Sequence, residues 1–101
     1  MVPVYVAACS GHVDTIKVLS ALGDDVNIKT PDGCTPVYVA AQEGHADAIK
    51  ALAALGADVN TPNNGGVTPV LVAAQNGHTA VIKVLYCRHG SFSSWRGYRR
   101  I

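Results

Sequence analysis

Residues 35–45 read TPVYVAAQEGH, and residues 68–78, a step of 33 along the chain, read TPVLVAAQNGH. Met1 to His12 read MVPVYVAACSGH at the same offset in the other direction. Residues 3–27 match residues 36–60 at 18 of 25 positions, and residues 35–52 match residues 68–85 at 12 of 18, neither with a gap. A fixed period of this length is the signature of a stacked repeat, in which no unit buries its own apolar face and neighbours complete one continuous core.

The unit can be read locally. Thr35 and Thr68 suit a helix N-cap, where the hydroxyl takes an orphan backbone N–H. Pro36 and Pro69 follow at the first helical position, where the missing N–H costs nothing. The short helix carries paired alanines, Ala7-Ala8, Ala40-Ala41 and Ala73-Ala74, whose small side chains let neighbouring helices approach. Gly11, Gly44 and Gly77 stop it, since glycine accepts the left-handed conformation. In a second helix Ile16, Leu19 and Leu22 lie at helical spacing on one face, Ile49, Leu52 and Leu55 repeat them, and Lys17, Lys50 and Lys83 point the other way. That helix ends near Gly23 and Gly56. Pro31-Asp32-Gly33 and Asn63-Asn64-Gly65-Gly66 are turn signals, placed at the tip of a hairpin-like finger.

The totals fit one domain. Of 101 residues, 49% are apolar and 15% charged, a balance that supports a core and argues against intrinsic disorder. Residues 1–85 carry −3 and residues 86–101 carry +4, from Arg88, Arg96, Arg99 and Arg100, so the charge asymmetry sits in the last stretch. Cys9, Cys34 and Cys87 are odd in number and share no metal-ligand spacing, which fits free thiols in a reducing compartment. With no signal peptide at the start and no apolar run near the length of a membrane span, an intracellular place, cytoplasmic or nuclear, is expected.

Thr-Pro, Ala-Ala, Gly-His and Asp-Val-Asn at a 33-residue period, as in DGCTPVYVAAQEGHADAIKALAALGADVN and GGVTPVLVAAQNGHTAVIKVL, resemble ankyrin repeats over about residues 2–86. The resemblance implies an all-α solenoid of stacked helix-turn-helix units with projecting hairpin-like loops. Its expected division is a repeat domain over 1–87 and a basic aromatic tail over 88–101. Within the domain lie a partial repeat (1–27), a full one (28–60) and another partial one (61–87).

The departures are specific. The family usually places a His two residues after the Pro, whose ring ties the Thr hydroxyls. Here those positions hold Tyr5, Tyr38 and Leu71, so that tie is expected to be absent and other packing must hold the helix starts. The first repeat has Val2 where the Thr would be and lacks its finger. The third loses the pattern after Leu85, where YCRHGSFSS replaces the Gly-Ala-Asp-Val-Asn ending.

Residues that invite a chemical reading fit structural ones better. His12, His45 and His78 recur at the repeat period, which points to a hydrogen bond to neighbouring loop backbone, and no His/Cys/carboxylate spacing suits a metal. His89 is alone in the tail. Asp14 and Asp47 favour the start of the second helices electrostatically. Residues 63–66 are glycine-rich but precede no Lys-Ser/Thr, so a turn is expected there and not a phosphate cradle. No catalytic motif and no cofactor site is read; a non-enzymatic protein is expected.

What the resemblance implies about partners is contact with the finger tips and the inner face of the first helices. The matching positions are Lys29, Pro31, Asp32 and Cys34 on one finger, and Pro62, Asn64, Gly65 and Val67 on the next. On the helix ends they are Cys9 and Ser10, Gln42 and Glu43, and Gln75 and Asn76, with Tyr38 added if its ring reaches the groove. The set is mostly uncharged and, Tyr38 apart, holds none of the Trp, Tyr and Arg that dominate interface energetics. It spans one standard-size protein interface at most.

The tail, RHGSFSSWRGYRRI, holds the only Trp and the only Phe. Three readings fit it: a cap in which Phe92 and Trp95 cover the last helix pair, a basic aromatic segment for nucleic acid or an acidic partner, and a disordered terminus without a role. Four charges with no basic face on the repeats argue against nucleic acid. Another protein is the expected partner and no membrane is involved; a scaffold or inhibitor role within a larger assembly is the further alternative. The first repeat starts inside its first helix, so its outer face is expected to tolerate exposure, to stack end to end on another molecule or to be covered in a longer natural chain; modest stability and some self-association are expected.

Overall fold

The computed structural model describes residues 3–88. Six helices follow one another: α1 (Pro3–Ser10), α2 (Val13–Ala21), α3 (Pro36–Glu43), α4 (Ala46–Ala54), α5 (Pro69–Gln75) and α6 (Thr79–Arg88). No strand occurs among the described residues. Each odd helix packs on the even one that follows it; α1, α3 and α5 then stack in one row, and α2, α4 and α6 in a second. This is the all-α stack of helix-turn-helix units that the period predicts.

Sequence sets the helix ends. Thr35 and Thr68 are extended N-caps, and their hydroxyls accept from the backbone N–H of Tyr38 at 3.1 Å and Leu71 at 3.2 Å. A prolyl ring at the first position costs no hydrogen bond there. At the far end of α3, Gly44 turns left-handed at φ +84, and the next N–H, of His45, closes back on the Ala40 carbonyl at 2.9 Å. An L side chain resists that conformation, which is why glycine recurs there.

The core runs between the two rows. Ala8, Ala40, Ala41 and Ala73 are buried where first helices meet, and Ile16, Ile49, Leu52, Val81 and Leu85 fill the space towards the second row. Fully burying one such Ile or Leu contributes about 1.5–3 kcal/mol. Truncating Leu52 to Ala is expected to cost about 2–5 kcal/mol, transfer and cavity together. Lys17, Lys50 and Lys83 are exposed, as their spacing predicts.

One reading of the core requires correction. Leu22 and Leu55 do not share the buried face of Ile16, Ile49 and Leu52; Leu22 is 77% exposed and Leu55 is 37% exposed. Both are C-cap residues, with ψ near zero instead of helical, so the periodicity that aligns them with the isoleucines ends one residue too early. The helix α6 runs through Arg88, across the expected boundary at 87. The three readings of the tail concern residues outside those described.

A candidate protein-binding surface

Between α2 and α3 the chain projects as a finger closed by one tight turn. The Gly33 N–H donates to the Thr30 carbonyl at 2.8 Å, and the Thr30 N–H to the Cys34 carbonyl at 3.0 Å. The Thr30 hydroxyl also accepts from the Cys34 N–H at 3.2 Å. Pro31 presets the turn, and Gly33 at φ +81 completes it. In the next finger Asn63 stands where Thr30 does. Its N–H donates to the Val67 carbonyl at 2.9 Å, while its side-chain oxygen accepts from the N–H groups of Gly65 at 2.9 Å and Val67 at 3.0 Å.

The two fingers are tied to each other. The Asn64 N–H donates to the Asp32 carbonyl at 2.9 Å, and the Asn64 side-chain amide to the Pro31 carbonyl at 2.8 Å. At Gly33 a Cβ would collide with Asn64, whose backbone nitrogen lies 2.8 Å from where that carbon would sit. Deeper in, the Asn27 side-chain oxygen accepts from the Asp58 N–H at 2.8 Å. Asp32 and Asn64, read from sequence as turn residues and as contact positions at the tips, therefore also hold the tips in register.

A second line of ties joins the helix ends. The imidazole Nε2 of His45 lies 3.0 Å from the Cys9 carbonyl oxygen, and that of His78 lies 3.0 Å from the Gln42 carbonyl oxygen. A carbonyl only accepts, so Nε2 carries the proton in both rings. The Asn76 side-chain amide donates to the same Gln42 carbonyl at 3.2 Å. This is the backbone bond expected of the recurring histidines, made by His45 and His78; His12 makes none among the described residues.

Tyr38 supplies a tie where none was expected. It is 7% exposed, and its hydroxyl accepts from the Asn63 side-chain amide at 3.2 Å. The ring thus packs between repeats, and its polar end links α3 to the following finger. Burial pushes the Tyr38 phenol above its ordinary value, with Cys34 adding to the effect. Burial likewise raises Tyr5, where Cys34, Cys9, Asp32 and Tyr38 add smaller contributions.

Of the residues singled out for binding, Lys29, Pro31, Asp32, Gln42, Glu43, Pro62, Asn64, Gln75 and Asn76 are exposed. Cys34 and Val67 are half-buried against the core, and Tyr38 is buried. Asp32 and Asn64 meet across the fingers, and Gln42 meets Asn76 across the helix ends. Among the described residues no group of three or more His, Cys, Asp or Glu is placed to hold a metal ion. Cys9 and Cys34 are free thiols. No described helix is long and apolar enough to cross a membrane.

Comparison with curated proteins finds no match. A family model of ankyrin repeats, in three copies, matches residues 4–93. Repeats of this kind are generally protein–protein interaction modules and typically not enzymes. With that match over most of its length and with three stacked helix pairs, the chain belongs to the ankyrin-repeat family.

Proposed function

We propose that this protein is a non-enzymatic binding module that holds another protein against its finger tips and the exposed ends of its first helices. One observation carries the reading: the two fingers are locked together by Asn64 on Pro31 and Asp32, and the helix ends by His45 and His78 on the repeats before them. A surface fixed in this way binds with little backbone rearrangement and loses little ordering entropy. Lys29, Pro31, Asp32, Pro62 and Asn64 then form its outer edge, and Gln42, Glu43, Gln75 and Asn76 its floor. Cys34 and Val67 contribute the half-buried apolar ground between them. Tyr38 acts from beneath, by positioning Asn63 and the second finger. The free thiols of Cys9 and Cys34 fit a reducing compartment, cytoplasm or nucleus.

The reading is tested by capturing partners from a lysate of the source cells with two charge-reversing variants. Asp32→Arg combined with Gln42→Arg is expected to weaken capture at least about tenfold, because each buries an unmatched charge in the interface. Asp47→Arg, exposed on the other row of helices, is expected to leave it unchanged. Equal capture by both variants, with circular dichroism unchanged, would remove the finger and inner-helix surface as the site.

A further inference from the structure

Two asparagines stand directly before a glycine, Asn64 before Gly65 and Asn76 before Gly77. Such a pair has a reaction of its own. The glycine backbone nitrogen attacks Cγ of the asparagine side chain, and with no side chain on the glycine nothing hinders the approach. The new C–N bond closes a succinimide ring as the Cγ–Nδ2 bond breaks, and the departing amide nitrogen takes the glycine's proton and leaves as ammonia. Water then opens the ring. Opening at one carbonyl gives aspartate; opening at the other gives isoaspartate, in which the main chain runs through the former side chain.

The two pairs differ in what must move before they react. Asn76 caps α5, with its N–H on the Val72 carbonyl at 3.1 Å and the Gly77 N–H on the Ala74 carbonyl at 3.2 Å. Its side-chain amide shares the Gln42 carbonyl with His78, so freeing it disturbs a joint between packed repeats. Asn64 is held at the finger tips instead. Its amide donates to the Pro31 carbonyl at 2.8 Å, and the Gly65 N–H, which carries the attacking nitrogen, donates to the Asn63 side-chain oxygen at 2.9 Å. The Asn64 Cγ lies 2.9 Å from where a Cβ on Gly33 would sit, so the reacting carbon rests against the neighbouring finger. Pro31, Asp32, Asn64, Gly65 and Gly66 are all exposed. A contact between exposed tips opens at lower cost than a helix end within the stack.

We propose that Asn64 is a deamidation site, and that the reaction makes a parting of the two fingers permanent. When the tips separate, the Asn64 amide leaves Pro31, the Gly65 N–H leaves Asn63, and the ring closes. Neither product can restore the tie. The group facing the Pro31 carbonyl is then a carboxylate, and both oxygens only accept. The new negative charge also stands on the tip opposite Asp32, and isoaspartate adds one carbon to the main chain there. The deeper bond from the Asp58 N–H to the Asn27 side chain is untouched, so the fingers loosen at their tips and stay joined at their base. This inference concerns the joint between the fingers and does not depend on what binds to them.

The test is to incubate the full chain in mildly alkaline buffer, folded and in denaturant, and to follow both asparagines by peptide mass spectrometry. Fragmentation places each change, and an isoaspartate-specific methyltransferase reports the second product. In denaturant the two pairs are expected to react at similar rates. In the folded chain both slow, and Asn64 is converted before Asn76. Asn27→Ala, which weakens the finger joint away from the reacting groups, is expected to speed conversion of Asn64 about 2- to 10-fold, one hydrogen bond's worth, and to leave Asn76 unchanged. Asn64→Asp, which makes one product directly, is expected to quicken hydrogen exchange at the residue 64 N–H that donates to Asp32. Circular dichroism establishes that both variants are folded. Conversion of Asn76 first, or an Asn64 that reacts in denaturant and stays intact in the folded chain, overturns the proposal. A rate at Asn64 that Asn27→Ala leaves unchanged overturns it too, since the reaction then does not wait for the fingers to part. Unchanged exchange in Asn64→Asp removes the permanent parting.

Discussion

The ring of His78 lies where a side chain on Gly44 would have to be, with Nδ1 2.8 Å from the position of the missing Cβ. Its Nε2 donates 3.0 Å away to the Gln42 carbonyl, two residues before that glycine. The pair explains why Gly-His recurs with the period: the glycine ends one helix, and its bare face receives the histidine of the next repeat. Gly77 has the same left-handed backbone, and among the described residues no ring lies over it. Gly77→Ala is therefore expected to cost only the conformational penalty, about 1–2 kcal/mol. Gly44→Ala should cost about 1–3 kcal/mol more, for the overpacking against His78. Chemical denaturation at a chain concentration too low for association compares the two.

Asp24 has no counterpart charge in the second repeat, where Ala57 stands at the same position. Its Oδ2 is buried with no hydrogen-bond donor among the described residues. Leaving a polar atom unsatisfied costs about 1–3 kcal/mol, and exchanging it for an apolar group removes that cost. Asp24→Ala is expected to raise the denaturation midpoint, by about 1 kcal/mol of stability. An unchanged or lower midpoint would mean that Oδ2 is satisfied by solvent.

Tyr38→Phe keeps the buried ring and removes the acceptor of the Asn63 amide. The expected loss is about 0.5–1.5 kcal/mol. If the tie positions the second finger, hydrogen exchange should quicken at Gly65 and Val67, whose N–H groups rest on the Asn63 side chain, and not at Gly33.

Alkali should weaken the fold through two phenols, the buried Tyr38 and the half-buried Tyr5. Tyr5 and Tyr38 are both raised above the ordinary phenol value, chiefly by burial. The folded state thus favours the neutral ring. Its contribution is complete below about pH 10 and is lost as pH climbs from there through the folded value, since the unfolded chain ionises first. Urea midpoints followed across that range, with phenolate absorbance as the second signal, should fall above about pH 10. The fall should be shallower in Tyr38→Phe.

Much of the stack was legible before any coordinates. Thr35 and Thr68 cap α3 and α5 as their Thr-Pro pairs predict, and the left-handed glycines and the histidine ties follow from the period. Three points were not legible, each for a physical reason. Leu22 and Leu55 carry the right spacing for a buried face, but spacing says nothing of where a helix stops, and both fall on the cap. The link from Tyr38 to Asn63 joins residues 25 positions apart, so no local pattern announces it. Reading residues 63–66 as a turn was sufficient for the chain's path. It missed that Asn63 imitates the hydroxyl and backbone of Thr30, which short polar side chains do by bonding their own loop.

The central claim is that the finger and inner-helix surface is the binding site for a protein. Capture of partners by the full chain, by a chain ending at Arg88 and by the Asp32→Arg, Gln42→Arg variant tests it most directly, with circular dichroism establishing that each is folded. The account predicts that a protein partner is retained by the shortened chain, survives nuclease treatment and is lost from the charge-reversed variant. Capture that instead follows residues 89–101, falls steeply with added salt and disappears with nuclease would contradict it, and would make the stack a platform for a basic nucleic-acid-binding segment.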